Sequence, residues 1–187
     1  MRFKKGVYKI MNDLEIAPNE KLIIEAGAKL LFAADTGIHC EGAIIAEGAN
    51  SDDELIVFSS LDESKFWKGI YICSKKRSRF AYCHFTRAHK RCGGGGAFHI
   101  QLTKVKFDNC LFVENAAEYG GAILFEASTI KFNNCYFAQN QAEEEGGAIY
   151  FEDVEAKDFR TTKGCLFKDN KAKRGENIYG SYRQLIQ

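Results

Sequence analysis

Apolar residues along this chain fall in short alternating runs broken by glycine, asparagine and charged positions. In the stretch from Gly121, Ile123 and Phe125 share one side, Glu126-Ala127-Ser128 turns, and Ile130 and Phe132 return to that side. Asn134 turns again, and Cys135 and Phe137 follow. Alternation of period two over four to eight residues marks half-buried strands. A residue that tolerates the left-handed conformation marks the corner between them. By that rule Tyr82, Asn109, Asn134 and Gly164, each just before a cysteine, are corner positions.

The pattern repeats. Gly95-Gly96-Ala97-Phe98, Gly120-Gly121-Ala122-Ile123 and Gly146-Gly147-Ala148-Ile149 open three copies, and Phe112-x-x-Asn115, Phe137-x-x-Asn140 and Phe167-x-x-Asn170 close them. Followed backwards, phenylalanine recurs at Phe32, Phe58, Phe85, Phe112, Phe137 and Phe167, with gaps of 26, 27, 27, 25 and 30 residues. Glycine recurs at Gly42, Gly69, Gly96, Gly121 and Gly147; by apolar phase Ile70 matches Phe98, a shift of one residue in that coil. A period in this range predicts a solenoid. The expected fold is all-β, with about six or seven three-sided coils of about 26 residues stacked as parallel strands ~4.8 Å apart. The whole chain, 1–187, reads as a single domain, with a first coil or cap over 1–31, repeated coils over 32–179 and a cap over 180–187.

Columns follow from the period. Cys83, Cys110, Cys135 and Cys165 each precede a ladder phenylalanine by two residues and are expected inside, stacked as small buried hydrophobes. Asn115, Asn140 and Asn170 are expected to hydrogen-bond from coil to coil. Seven cysteines without an obvious pairing favour a reducing compartment.

Net charge is +1, yet residues 64–107 hold 11 bases and no acid while 108–158 hold 11 acids and 2 bases. Such an acidic middle makes a poor nucleic-acid surface, which needs contiguous cations; it suits loops pairing with each other, or copies of the protein pairing. The start, Met1-Arg2-Phe3-Lys4-Lys5, leads into Val7-Tyr8-Lys9-Ile10 without the apolar run of a secretory signal. No stretch is long enough to span a membrane. A cytoplasmic location is expected, or the cell surface if the chain is a piece of a larger exported protein.

In register over several coils, Gly-Gly-Ala-Ile and Phe-x-x-Asn resemble the polymorphic outer-membrane-protein repeats. The chain as a whole resembles a right-handed parallel β-helix of the pectate-lyase-like superfamily, over residues 14–179. The resemblance implies adhesion or surface display, and fold alone does not give function.

Three kinds of site are open. Tyr71, His99, Leu124, Tyr150 and Tyr179 are expected in one outward row beside Gly69, Ala97, Ala122 and Ala148, a shallow groove where a polysaccharide or a protein partner could lie. Lys75, Lys76, Arg77, Arg87, Lys90 and Arg91 form a basic zone that could take an anionic partner. Glu126 and Glu152, with Asp153 adjoining, are the carboxylates that could serve a glycosidase, whose two acids stand about 5–5.5 or 6.5–9.5 Å apart. His84, His89 and Cys92 are weak soft-metal candidates, since zinc pairs such as C-x₂-C are missing; no cofactor is expected. Gly93-Gly94-Gly95-Gly96 reads as a flexible entry into the next strand. The expected function is a binding or assembly module that does no chemistry, with a polysaccharide-acting enzyme as the alternative.

Overall fold

The computed structural model describes residues 1–155, 157–161 and 164–182, with the side chains of Arg91, Arg160 and Thr161 outside the description. The chain winds through seven coils of parallel strands. A first sheet takes Arg2–Phe3, Lys21–Glu25, Ala43–Glu47, Arg77–Ala81, Lys104–Asp108, Thr129–Asn133 and Phe159–Thr161. A second takes Gly6–Ile10, Ala28–Phe32, Ile56–Ser60, Cys83–Thr86, Leu111–Val113, Tyr136–Ala138 and Leu166–Lys168. A third takes Leu14–Ile16, Ile38–Cys40, Ile70–Cys73, Phe98–Gln101, Ile123–Glu126, Ile149–Val154 and Ile178–Tyr182. Among the described residues no helix is long and apolar enough to cross a membrane. Of the expected C-terminal cap, 183–187 lie outside the described residues.

Register is what fills the core. Phe58 pairs with Phe85, Phe85 with Phe112, Phe112 with Phe137 and Phe137 with Phe167. Their rings stack face to face with centroids 4.8, 5.1, 4.7 and 4.9 Å apart. A second stack, Phe80–Phe107–Phe132, stands on the first sheet at 5.2 Å per step, and meets the first stack edge-on. Each ring thus has stacked neighbours along the axis and edge contacts across it, both favourable aromatic geometries.

Two early positions differ from the sequence pattern. Leu30, not Phe32, pairs with Phe58; Phe32 pairs with Ser60 and stacks instead on Trp67 at 4.6 Å. Gly37, not Gly42, precedes the third-sheet strand that pairs with Ile70. The cause is the connection over 48–55. It joins the first and second sheets here, whereas Tyr82 alone, or Asn109 with Cys110, suffices in later coils. The insertion lengthens one arc, so that Gly42 stands 16 residues before Phe58, as Gly69 does before Phe85, without occupying the same place in its coil.

The expected corners are left-handed: φ is 50° at Tyr82, 51° at Asn109, 49° at Asn134 and 96° at Gly164. The asparagine column also forms. Asn140 Nδ2 donates to Phe112 O (2.9 Å) and Asn170 Oδ1 (3.0 Å), while Asn140 Oδ1 accepts from Asn115 N (3.1 Å) and Asn115 Nδ2 (3.0 Å). All three side chains are buried, so every polar atom in this column needs such a partner. The cysteines are free thiols, and Cys83, Cys110 and Cys135 are buried in a column. The hydrogen bond that Cys135 donates to Cys110, together with burial, pushes the Cys135 thiol up to about 12. Thiols that stay protonated are poor nucleophiles and act here as packing.

The three-sided coil is incomplete as a description. His89–Gly94, Ala116–Tyr119 and Gln141–Glu145 form a fourth, three-stranded sheet in segments that read as charged loops. Gly93 and Gly94 end the first strand of this sheet, and the backbone packs closely from there: a Cβ at Gly94 would run into the Leu124 side chain and one at Gly95 into the Phe98 carbonyl.

Replacing buried Asn140 by Ala orphans Phe112 O and the Asn115 amide, and is expected to cost about 3 kcal/mol. Asn134→Gly, at an exposed corner of positive φ, is expected to stay within about 0.5 kcal/mol of the parent. Urea denaturation of both variants checks the pair; equal losses would mean that the column carries no special load.

Candidate functional site: the outward face of the third sheet

Strand alternation sends Ile70, Ile72, Phe98, Ile100, Ile123 and Phe125 inward, and leaves two columns facing out. One is His39, Tyr71, His99, Leu124, Tyr150 and Tyr179; the other is Cys73, Gln101, Glu126 and Glu152. The predicted row therefore exists in register, and His39 extends it by one rung. His39 meets Tyr71 edge-on at 5.1 Å, and Tyr71 meets His99 at 5.2 Å.

The row is not one groove. Leu124 is only 6% exposed, because Gly94 at the end of the fourth-sheet strand and Gly95 after it lie across it. The rings are thereby divided into a lower set, His39–Tyr71–His99, and an upper set, where Tyr150 contacts Tyr119 and Tyr179. Ala97, Ala122 and Ala148 do not line a groove either; all three are fully buried where the third and fourth sheets meet.

A hydrogen-bonded chain ties the lower set together. Tyr71 Oη donates to Gln101 Oε1 (2.6 Å), which turns the Gln101 amide so that Nε2 donates to Glu126 Oε1 (3.1 Å). His99 Nε2 lies 2.9 Å from the same Glu126 oxygen, and Lys90 Nζ lies 2.9 Å from His99 Nδ1. A lysine ammonium can only donate, so Nδ1 accepts and the imidazole proton sits on Nε2, facing the carboxylate. His99 is neutral in this arrangement. Burial lowers its pKa against the opposing pull of Glu126, and burial lowers that of Lys90 as well. Glu126 Oε2 carries no hydrogen bond from the described residues.

Beside this chain lies a depression of about 200 Å³ lined by Asp13, Gly37, His39, Lys68, Tyr71 and Lys90. Lys68 is held by Asp13 at 3.1 Å and His39 by Glu15 at 3.4 Å. Gln101 and His39 were legible signals: Gln101 follows His99 by two residues on the same face, and His39 follows Gly37 as Tyr71 follows Gly69 by two.

Of the carboxylates, Glu126 and Glu152 are direct partners across adjacent coils, and Glu152 and Asp153 are exposed. The basic zone is split: Lys75 and Lys76 in the entering turn stay beside Arg77 on the first sheet, while Arg87 lies in a left-handed corner (φ 58°) and Lys90 in the chain above. The Arg91 side chain falls outside the description. His84 sits half-buried on the second sheet, His89 rests against Phe66 at 5.2 Å, and Cys92 is exposed. Among the described residues no three His, Cys, Asp or Glu side chains gather to hold a metal. Charged segments do pair locally, Lys173 with Glu144 and Arg174 with Glu145.

A family model described as a right handed beta helix region matches residues 37–186. No curated protein and no solved structure matches the chain.

Because the folded pKa of His99 is lowered, the unfolded chain takes up a proton first as pH falls through 6.5, and stability is lost in that window and kept above it. His84 contributes with the same sign, also through burial. His99→Gln is expected to melt with a smaller drop in Tm between neutral and mildly acidic buffer than the parent does. An unchanged drop would remove His99 from the linkage.

Proposed function

Since the chain belongs to the right-handed β-helix family, we propose that it is a binding module that does no chemistry, and that it holds a polysaccharide on the lower part of its third-sheet face. The observation that carries this is the ring column His39–Tyr71–His99 standing one rung apart, flanked by Gln101 and Glu126 in fixed orientation. Sugar rings take apolar contact from aromatic side chains and hydrogen bonds from oriented amides and carboxylates. Here both kinds of group stand side by side along the direction a polymer would run. The hydrogen-bonded chain fixes the side chains before a ligand arrives, which lowers the ordering cost of binding.

Calorimetric titration with a panel of soluble polysaccharides tests this. Binding of at least one is expected, weakened about tenfold by Tyr71→Ala and unaffected by Tyr179→Ala in the upper set. A panel without any heat of binding, or a Tyr71→Ala variant that binds as the parent does, would sink the proposal.

A second reading has its own support. Glu126 pairs with Glu152 and is anchored by His99 and Gln101 with one oxygen left open, a placement suited to acid–base cleavage of a glycosidic bond. Release of reducing ends by the parent, abolished in Glu126→Gln and in Glu152→Gln, would replace the binding module by a hydrolase.

A further inference from the structure

The outward side of the first sheet carries cations that the register, not the sequence, brings together. Arg77 pairs with Lys104; Arg79 pairs with Lys106, and Lys106 with Lys131. Adjacent strands lie ~4.8 Å apart, so like charges stand directly over one another, an arrangement that weakens a sheet. Arg79 is relieved by Glu47 (3.2 Å) and Asp108 (3.5 Å), and Lys106 by Asp108 (2.9 Å). Arg77, Lys104 and Lys131 have no acidic partner among the described residues; nor do Lys75 and Lys76 in the turn that enters this sheet.

A second observation adjoins the patch. Leu102, at the corner between the third and first sheets, is 66% exposed and has a φ of 52°. Leucine is unfavourable in that conformation, and neither the turn nor the core requires it. The same left-handed corner is Ala127 (φ 44°) and Asp153 (φ 51°) in the next two coils. Leu102 shares one depression with Lys75 and Lys76, and another with Lys75 and Lys104. Asp153, Glu155 and Asp158 line the far side of the second and bound the patch there.

We propose that this edge docks on an anionic lipid surface, with the lysines and arginines against the headgroups and Leu102 in the boundary of the acyl chains. Peripheral attachment takes two signals, apolar insertion and a basic cluster, and both are present within two coils. Single-stranded nucleic acid would call for stacking platforms, and the residues of this patch include no aromatic side chain. A soluble anionic glycan would use the cations but gives no role to an exposed leucine. The patch lies on a different sheet from the polysaccharide contact, so the two proposals stand or fall separately.

The test is co-sedimentation of the full chain with vesicles of phosphatidylcholine alone and of phosphatidylcholine mixed with phosphatidylglycerol. The protein is expected to sediment with the mixed vesicles only, and to be released by raised salt. Leu102→Asn, which suits a positive φ, and the double variant Arg77→Ser/Lys104→Ser are each expected to weaken partition about tenfold. Both change exposed side chains, and an unchanged Tm confirms that each variant is folded. Absence of sedimentation, equal sedimentation with neutral vesicles, or parent-like partition of either variant overturns the proposal. So does capture by heparin or duplex DNA with no uptake by vesicles.

Discussion

The structure depends on one constraint: residues a full turn apart must stand in register. A parallel ladder fixes each strand against the one before it, and the side-chain period of two then sends every second position to the inside. A slip of one residue in any coil would turn its phenylalanines out to water. Three features hold register against that slip. The rings of Phe85, Phe112, Phe137 and Phe167 fit only over one another. The buried amides of Asn115, Asn140 and Asn170 are satisfied only in one alignment. At Gly96, Gly121 and Gly147 a Cβ would strike the backbone of the next coil, so the close approach of the third and fourth sheets admits no other residue there. No coil could bury its own apolar face alone, and stability is shared between neighbours as in other repeat proteins.

The same constraint makes the surface. An outward side chain takes its neighbours from coils about 25 residues away in sequence, so charge that is blocked along the chain is sorted again across it. The 64–107 segment holds no acid, yet Arg79 finds Glu47 on one side and Asp108 on the other. The acidic run at 143–145 meets Lys173 and Arg174 one coil on. Lys90 and His99 are nine residues apart and would not be paired by any helical or strand rule. They meet because the fourth sheet folds back beside the third.

What the sequence made legible follows from how local each signal is. Corners at Tyr82, Asn109 and Asn134 depend on one residue and its neighbours, and all three are left-handed. The phenylalanine and asparagine columns depend on a repeat of nearly constant length, and they hold where that length holds, from Phe58 onward. They fail at Phe32 and Gly42, where an inserted connection at 48–55 shifts the phase while leaving the spacing deceptively regular. The outward row from Tyr71 to Tyr179 was legible as a register. That Leu124 lies under a glycine strand was not, because it depends on the fourth sheet, whose strands carry charged and glycine residues instead of an apolar alternation. The burial of Ala97, Ala122 and Ala148 was hidden for the same reason.

The two outward faces differ in a way that bears on what each can do. On the third sheet, polar groups are joined in one chain: Tyr71, Gln101, Glu126, His99 and Lys90 each give or take a bond from the next. Burial favours the neutral imidazole, and the lysine ammonium is tolerated because Nδ1 accepts from it. Such a surface is rigid and can bind with little loss of side-chain freedom. On the first sheet, Arg77 stands over Lys104 and Lys106 over Lys131, and Arg77, Lys104 and Lys131 have no acidic partner among the described residues. A fold held this tightly by its core can carry that local cost, and an external anion reduces it. The energy of a contact on the third face therefore comes from fit to an ordered surface, while on the first it comes from relieving repulsion. The first should accordingly depend on salt far more steeply than the second.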